Sequence, residues 1–169
     1  LVLHEVGHTI GLNHNFKSSY LHNNVDIHNK EITEKVGLTG SVMDYTPVNL
    51  SLDTEEQGQY YSTVPGTYDD WAIEFGYSPS VKSLDQEKNR LDKILSRSSS
   101  PELLFGNDAD DMRSPGKGID PRVMIGDMSN NPIEYSERRI ALINILMESL
   151  SGKYGIDGES YHRLRDAFY

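Results

Sequence analysis

The 169-residue sequence contains no cysteine. This absence excludes a disulfide framework, a cysteine-ligated zinc site and a cysteine nucleophile. No apolar run approaches the roughly 20 residues that a membrane-spanning helix needs, so no span is predicted in this chain. Lys and Arg number 16 against 26 Asp and Glu, giving a net charge of −10. Since no cluster of basic residues stands out, we expect no nucleic-acid partner.

The sequence also has few segments in which apolar residues alternate with polar ones, the pattern of a half-buried strand. Its content of 36% hydrophobic and 25% charged residues is ordinary for a globular protein. The apolar spacing instead predicts helices, separated by polar segments rich in turn residues. We therefore expect a mainly α fold with long loops.

The predicted helices have recognisable ends. The first covers residues 1–12, and a long loop over 13–52 holds at most one short helix, around Ile27–Val36. Two further helices cover residues 68–75 and 83–97. The longest begins at Asn131-Pro132, with Asn as N-cap, and is predicted to stop at Gly152. Its apolar face is formed by Ile133, Ile140, Ile143, Leu146, Met147 and Leu150.

The first predicted helix carries the residues most suited to catalysis. His4 and His8 are four residues apart, so both imidazoles lie on one helical face and can bind one ion at about 2.0–2.1 Å. Glu5 is the next residue round the helix. It is badly placed to be a third ligand but well placed to accept a proton from a metal-bound water.

A third ligand requires the chain to turn back after this helix. Gly11 can adopt a left-handed conformation that ends the helix and redirects the chain, which returns His14 to the metal. Three histidines with an open fourth position are typical of a catalytic zinc site. The sequence thus predicts Zn²⁺ bound by His4, His8 and His14, although copper, nickel or cobalt also suit an all-nitrogen set in vitro.

The pattern of residues 4–14 resembles the zinc signature of the metzincin clan of metalloproteases. The clan also has a tight turn with a methionine beneath the metal, and residues 40–45, Gly-Ser-Val-Met-Asp-Tyr, resemble the astacin and serralysin form of it. The resemblance implies that Met43 forms the floor of the site. It also implies that Tyr45 is a reversible fifth ligand that can hydrogen-bond the oxyanion.

The sequence also resembles a group of large bacterial zinc-dependent metalloproteases, and the close resemblance covers residues 1–77. It implies that the chain begins with the C-terminal, lower part of a metzincin-like catalytic domain, whose upstream β-sheet is missing here. Residues 78–169 are then a helical C-terminal extension of unknown role. The resemblance also implies a bacterial protein in a secreted or cell-envelope location.

The predicted function is that of a zinc-dependent endopeptidase acting on a protein or peptide substrate. By the resemblance, residues 44–50 wall the pocket for the first substrate residue beyond the cut. The alternative is a zinc-dependent binding or scaffold module without hydrolytic activity, but such proteins usually lose the glutamate, and Glu5 is present. Without the upstream sheet we expect the isolated chain to be inactive. We also expect it to self-associate through exposed apolar residues of its first helix, among Leu1, Val2, Val6 and Ile10.

Several other residues have simpler interpretations. His22 and His28 lie in an Asn-rich loop and are expected at the surface. The acidic segment 108–112 could suit calcium, but a solvated loop is favoured. No role is assigned to Asp69 or Asp70. The aromatic residues nearby, Trp71, Phe75 and Tyr77, are most simply core residues.

Overall fold

The computed structural model of the chain describes residues 1–113 and 118–168. Within these ranges there are six α-helices and no β-strand, so the mainly helical prediction is confirmed. The helices are α1 (Val2–Thr9), α2 (Lys30–Val36), α3 (Thr67–Tyr77), α4 (Leu84–Leu95), α5 (Pro132–Tyr154) and α6 (His162–Phe168). Short 3₁₀ turns cover Ser18–Leu21, Asp26–His28, Thr54–Glu56 and Pro101–Leu103.

Helix α1 ends in the manner that its glycine predicts. The Leu12 amide donates to the Gly7 carbonyl at 3.0 Å, and the Gly11 amide donates to the His8 carbonyl at 3.1 Å. This pair of bonds is the Schellman arrangement, which requires a left-handed residue just beyond the helix. Gly11 supplies it, with φ of +90°. The chain is thereby turned back across the end of α1.

Most of the region between α1 and α3 is irregular, as predicted, and α2 falls within the short helix expected there. The Asn29 side chain begins α2 by accepting a hydrogen bond from the Glu31 amide at 3.0 Å. A small apolar core lies under this region, formed by Ile27, Leu38, Met128 and Tyr135. Because Met128 and Tyr135 come from the far end of the chain, that end packs against the irregular region.

Helices α3 and α4 pack together beside α1. The Trp71 indole donates to the Ile94 carbonyl at 2.9 Å, and Arg97 forms an ion pair with Glu74. The expectation of three core aromatics is wrong for Phe75 and Tyr77, which are exposed. The Tyr77 hydroxyl donates to the Ile10 carbonyl at 2.8 Å and so ties the end of α3 to the end of α1. This polar role accounts for its position at the surface.

Helix α5 begins where predicted, with the Glu134 amide donating to the Asn131 side chain at 3.3 Å. It continues beyond Gly152 to Tyr154, so the predicted end is wrong. An internal glycine costs a helix only about 1 kcal/mol, which the flanking residues offset. The apolar face is largely exposed, from Ile133 to Met147, and α6 packs against this helix.

The N-terminal helix also exposes apolar side chains. Leu1, Val2 and Val6 are exposed, and Ile10 is half-buried. These are the residues expected to mediate self-association, which stays a prediction. Over the described residues, every helix is too short or too polar to cross a bilayer.

Candidate metal centre

The three histidines of the predicted metal site meet at one point between α1 and the loop that follows it. Their possible ligand atoms all lie within 4.8 Å of one another. The Nε2 atoms of His8 and His14 are 3.2 Å apart. Two nitrogens that bind one zinc at tetrahedral angles are separated by about 3.3 Å, so this pair is already spaced for a shared ion.

In His4 and His8, the hydrogen bond made by Nδ1 determines which ring nitrogen remains for the metal. His4 Nδ1 donates to the Val42 carbonyl at 2.8 Å, and His8 Nδ1 donates to the Leu12 carbonyl at 3.0 Å. Because a carbonyl can only accept, these hydrogen-bond partners assign the ring proton to Nδ1. In the neutral ring, Nε2 of His4 and of His8 is then the nitrogen available to a metal, the tautomer common around protein-bound zinc.

The donor set, with His4 buried, His14 half-buried and His8 exposed, fits a zinc ion. His4 is 5% exposed, and its Nε2 is buried without a hydrogen-bond partner among the described residues. A buried polar atom without a partner is costly, and an ion at this position would satisfy it. Three neutral imidazoles and no thiolate match a zinc site that keeps one position open.

Met43 lies directly beneath this cluster. Its side chain is fully buried, and it packs so closely under α1 that a Cβ on Gly7 would collide with its sulfur. The absence of a side chain at position 7 therefore lets the methionine approach the helix between His4 and His8. The Met43 carbonyl accepts the Asn15 amide at 3.1 Å, which links the turn to the segment that carries His14.

Tyr45 completes the cluster from the other side. Its hydroxyl lies 2.9 Å from His14 Nε2, and its ring stacks on that of His4 with 4.9 Å between centroids. The side chain is 46% exposed, so its hydroxyl can also reach a bound molecule. Glu5 is exposed on α1, one residue after His4. The structure thus places Tyr45 against the histidine cluster and leaves Glu5 exposed on the helix that carries His4 and His8.

Comparison with known sequence families identifies the family of the chain. The profile of the family described as Met-zincin matches residues 1–169, the whole chain. The chain belongs to the Met-zincin family. The resemblance to metzincins is thereby confirmed, and the family implies zinc binding of the protease type. No curated protein matches the sequence, and no solved structure matches it either.

A cleft of about 590 Å³ opens beside His4 in this Met-zincin chain. It is lined by the start of α1, by Asp44, Tyr45 and Thr46 of the predicted wall, and by Tyr61, Ser62 and Thr63. No sequence pattern predicts that residues 61–63 line this cleft. The cleft therefore places an open space, larger than one side chain, next to His4.

The turn beneath the Met-zincin site is held by Asp69, a residue to which the sequence assigned no role. Asp69 is 3% exposed and accepts three hydrogen bonds. The donors are the Ser41 hydroxyl at 2.5 Å, the Val42 amide at 2.8 Å and the Gly66 amide at 2.8 Å. Burial raises the pKa of Asp69, and these three hydrogen bonds oppose the rise. The carboxylate thus connects the start of α3 to the turn that carries Met43.

Replacing Asp69 by Ala will lower the free energy of unfolding by about 3 kcal/mol, because buried amide donors at Val42 and Gly66 lose their acceptor. The matched control is Asp70→Ala, since Asp70 is the exposed neighbour on the same helical turn. Its loss will cost under about 1 kcal/mol, the scale of an acid near a helix N-terminus. Urea unfolding of both variants checks this, and equal losses would contradict the bracing role.

Two further carboxylates lie behind the turn, of which Asp44 is buried and Asp127 half-buried. Burial raises the pKa of Asp44 to about 7, against hydrogen bonds from Ser18 and Ser19, with the nearby Asp127 raising it further. Burial also raises the pKa of Asp127 to about 6. Asp44 joins the turn to residues 18–19. The Gly40 amide makes a second link by donating to the Ser18 carbonyl at 2.9 Å. The turn is therefore fixed on two sides.

Two expectations for the loops need correction. His22 was expected at the surface but is 7% exposed, and its Nε2 donates to the Gly37 carbonyl at 2.9 Å. His28 is half-buried, and burial lowers its pKa. The acidic segment 108–112 is exposed as expected except at Asp111, which is 4% exposed and pairs with Arg113. Asp108, in the same segment, contacts His14. His22 and His28 therefore serve the packing of the loop.

Proposed function

We propose that the chain is the metal-binding part of a zinc-dependent endopeptidase. The observation that carries the proposal is the convergence of three histidines whose possible ligand atoms lie within 4.8 Å of one another, with Nδ1 of His4 and of His8 donating to backbone carbonyls. Membership of the Met-zincin family supports the same reading. A zinc ion held by His4, His8 and His14 would polarise the scissile carbonyl and lower the pKa of a water molecule.

The chain's own residues supply the remaining chemistry. Glu5 accepts the proton of the attacking water and later passes it to the leaving amine, as a general base and then a general acid. The Tyr45 hydroxyl, 2.9 Å from His14 Nε2, donates a hydrogen bond to the oxygen that becomes negative. The cleft beside His4 receives the side chain of the first substrate residue beyond the cut.

The proposal includes a substrate-binding sheet that lies before Leu1 in the full-length protein. Proteases of this kind hold an extended substrate through backbone hydrogen bonds to a sheet edge. The resemblance also supports a proposed secreted or cell-envelope location. Residues 78–169, which the resemblance does not cover, are proposed as a helical extension. Because the proposed sheet binds the substrate, activity should be measured on the full-length protein.

The experiment is cleavage of an unstructured protein such as casein by the full-length protein and by its Glu5→Gln variant. Cleavage that depends on Glu5 supports a peptidase. Zinc binding without cleavage in either form would instead support the binding or scaffold alternative.

A further inference from the structure

We propose that Asp108 is a positioning residue that orients His14 and strengthens zinc binding. The inference rests on the proposed zinc site and adds a residue to it from the acidic loop. His14 Nδ1 lies 2.9 Å from each carboxylate oxygen of Asp108. The two residues are 94 positions apart in the sequence, so the contact is made by the fold rather than by local geometry.

His14 differs in this contact from the other two histidines. His4 and His8 donate to backbone carbonyls, whereas His14 faces a carboxylate. A carboxylate accepts the Nδ1 hydrogen, keeps Nε2 free for the metal and makes the imidazole a stronger ligand. His14 also needs orientation more than the others do, because it lies beyond the end of α1 and its ring is not held by the helix.

The loop that carries Asp108 is anchored to the residues next to His14. The Phe16 amide donates to the Gly106 carbonyl at 2.8 Å, and the Gly106 amide donates to the Asn15 side chain at 3.2 Å. Asn15 also donates from its side-chain nitrogen to the Leu104 carbonyl at 2.9 Å. These bonds fix the base of the loop beside His14.

The loop itself has a defined turn just beyond its anchor. The Ala109 amide donates to the Asn107 side chain at 2.9 Å, and the Asp110 amide donates to the Asn107 carbonyl at 2.9 Å. Asp108 lies inside this turn, between the residues that close it. Its position next to the imidazole is therefore set by the backbone on both sides.

Because Asp108 is exposed, its effect on zinc binding can be distinguished from an effect on the stability of the fold. Its side chain is 64% exposed, against 18% for His14. An ion pair so exposed contributes little to the stability of the metal-free fold. An acceptor beside a metal-binding histidine, in contrast, commonly changes metal affinity by about 10- to 100-fold. A positioning role thus predicts weaker zinc binding with unchanged stability.

The test is the zinc dissociation constant of the wild-type chain and of three variants, measured by competition with a chromogenic chelator. Asp108→Ala should bind zinc about 10- to 100-fold more weakly than wild type. Asp110→Ala is the matched control, since it removes the same charge from the same exposed turn without touching His14 and loses only a long hydrogen bond, 3.4 Å, from the Asn107 amide. It should leave the dissociation constant within about twofold, the size expected of a screened surface charge. Urea unfolding of the metal-free forms should be the same for all four.

Equal zinc affinity in wild type and Asp108→Ala would overturn this inference and leave the proposed function intact. Equal weakening by Asp108→Ala and Asp110→Ala would also overturn it, because a general loss of negative charge would then explain the result. Failure of the wild-type chain to bind zinc would overturn both the zinc site and the role of Asp108. Asp108→Asn should fall between wild type and Asp108→Ala, since it keeps an acceptor without the charge.

Discussion

Replacing Glu5 by Gln in the full-length protein will reduce peptidase activity at least about a hundredfold, the lower range for loss of a general base. Gln matches Glu in size but cannot accept the proton of the attacking water. Glu5 is exposed on α1, so a neutral side chain at this position should not disturb the packing of the fold. Zinc content and the far-ultraviolet circular dichroism spectrum should therefore stay at wild-type values. The rate of casein cleavage gives the measurement.

The matched control for this variant is Glu34→Gln, an exposed glutamate on α2. It changes the net charge equally at a site away from the histidines, and its activity should equal that of wild type. If Glu5→Gln retains activity within a few-fold of wild type, another group is the base and the role given to Glu5 is wrong.

The His8→Ala variant will lose most of its bound zinc. His8 supplies one of three nitrogen ligands, and its Nε2 is 3.2 Å from that of His14. Two remaining imidazoles cannot fill a zinc site that requires at least three protein ligands. The affinity should fall by more than the roughly hundredfold that loss of an outer residue costs. Zinc per chain after dialysis, measured by mass spectrometry, gives the result.

His162→Ala provides the comparison for His8→Ala. His162 is exposed at the start of α6, and replacing it should leave one zinc per chain. Equal zinc in wild type and His8→Ala would show that the metal is held elsewhere.

The first fourteen residues illustrate what the sequence can predict. A spacing of four places His4 and His8 on one helical face, and Gly11 supplies the left-handed turn that returns the chain. Both features depend on neighbours within one or two turns, so the sequence states them directly. The burial of Met43 under Gly7, in contrast, was expected only from the resemblance of residues 40–45 to a known turn.

Asp69 and Asp108 illustrate what the sequence could not predict. Asp69 braces a turn 27 and 28 positions earlier in the chain, and Asp108 reaches His14 across 94 positions. A single sequence carries no signal that pairs such distant residues. Asp69 follows a plausible helix start and Asp108 lies among other acids, so each resembles an ordinary surface carboxylate until the fold is known.

Local sequence patterns also predicted poorly which side chains are buried. His22 lies among asparagines and was expected in solvent, but the packing of residues 126–131 over this loop covers it. The Asn130 amide donates to the His22 carbonyl at 2.7 Å. The reverse error occurred in the aromatic residues of α3, where Phe75 and Tyr77 are exposed. Apolar character at one position does not state what packs against it.

The most direct test of the central claim is anomalous diffraction at the zinc absorption edge from crystals of the zinc-loaded protein. We expect one strong peak about 2.0–2.1 Å from the Nε2 atoms of His4, His8 and His14, the bond length of zinc to imidazole. Each Nδ1 should remain hydrogen-bonded to Val42, Leu12 or Asp108. A peak at other residues, or no peak in zinc-saturated crystals, would contradict the assignment of these three histidines as the metal site.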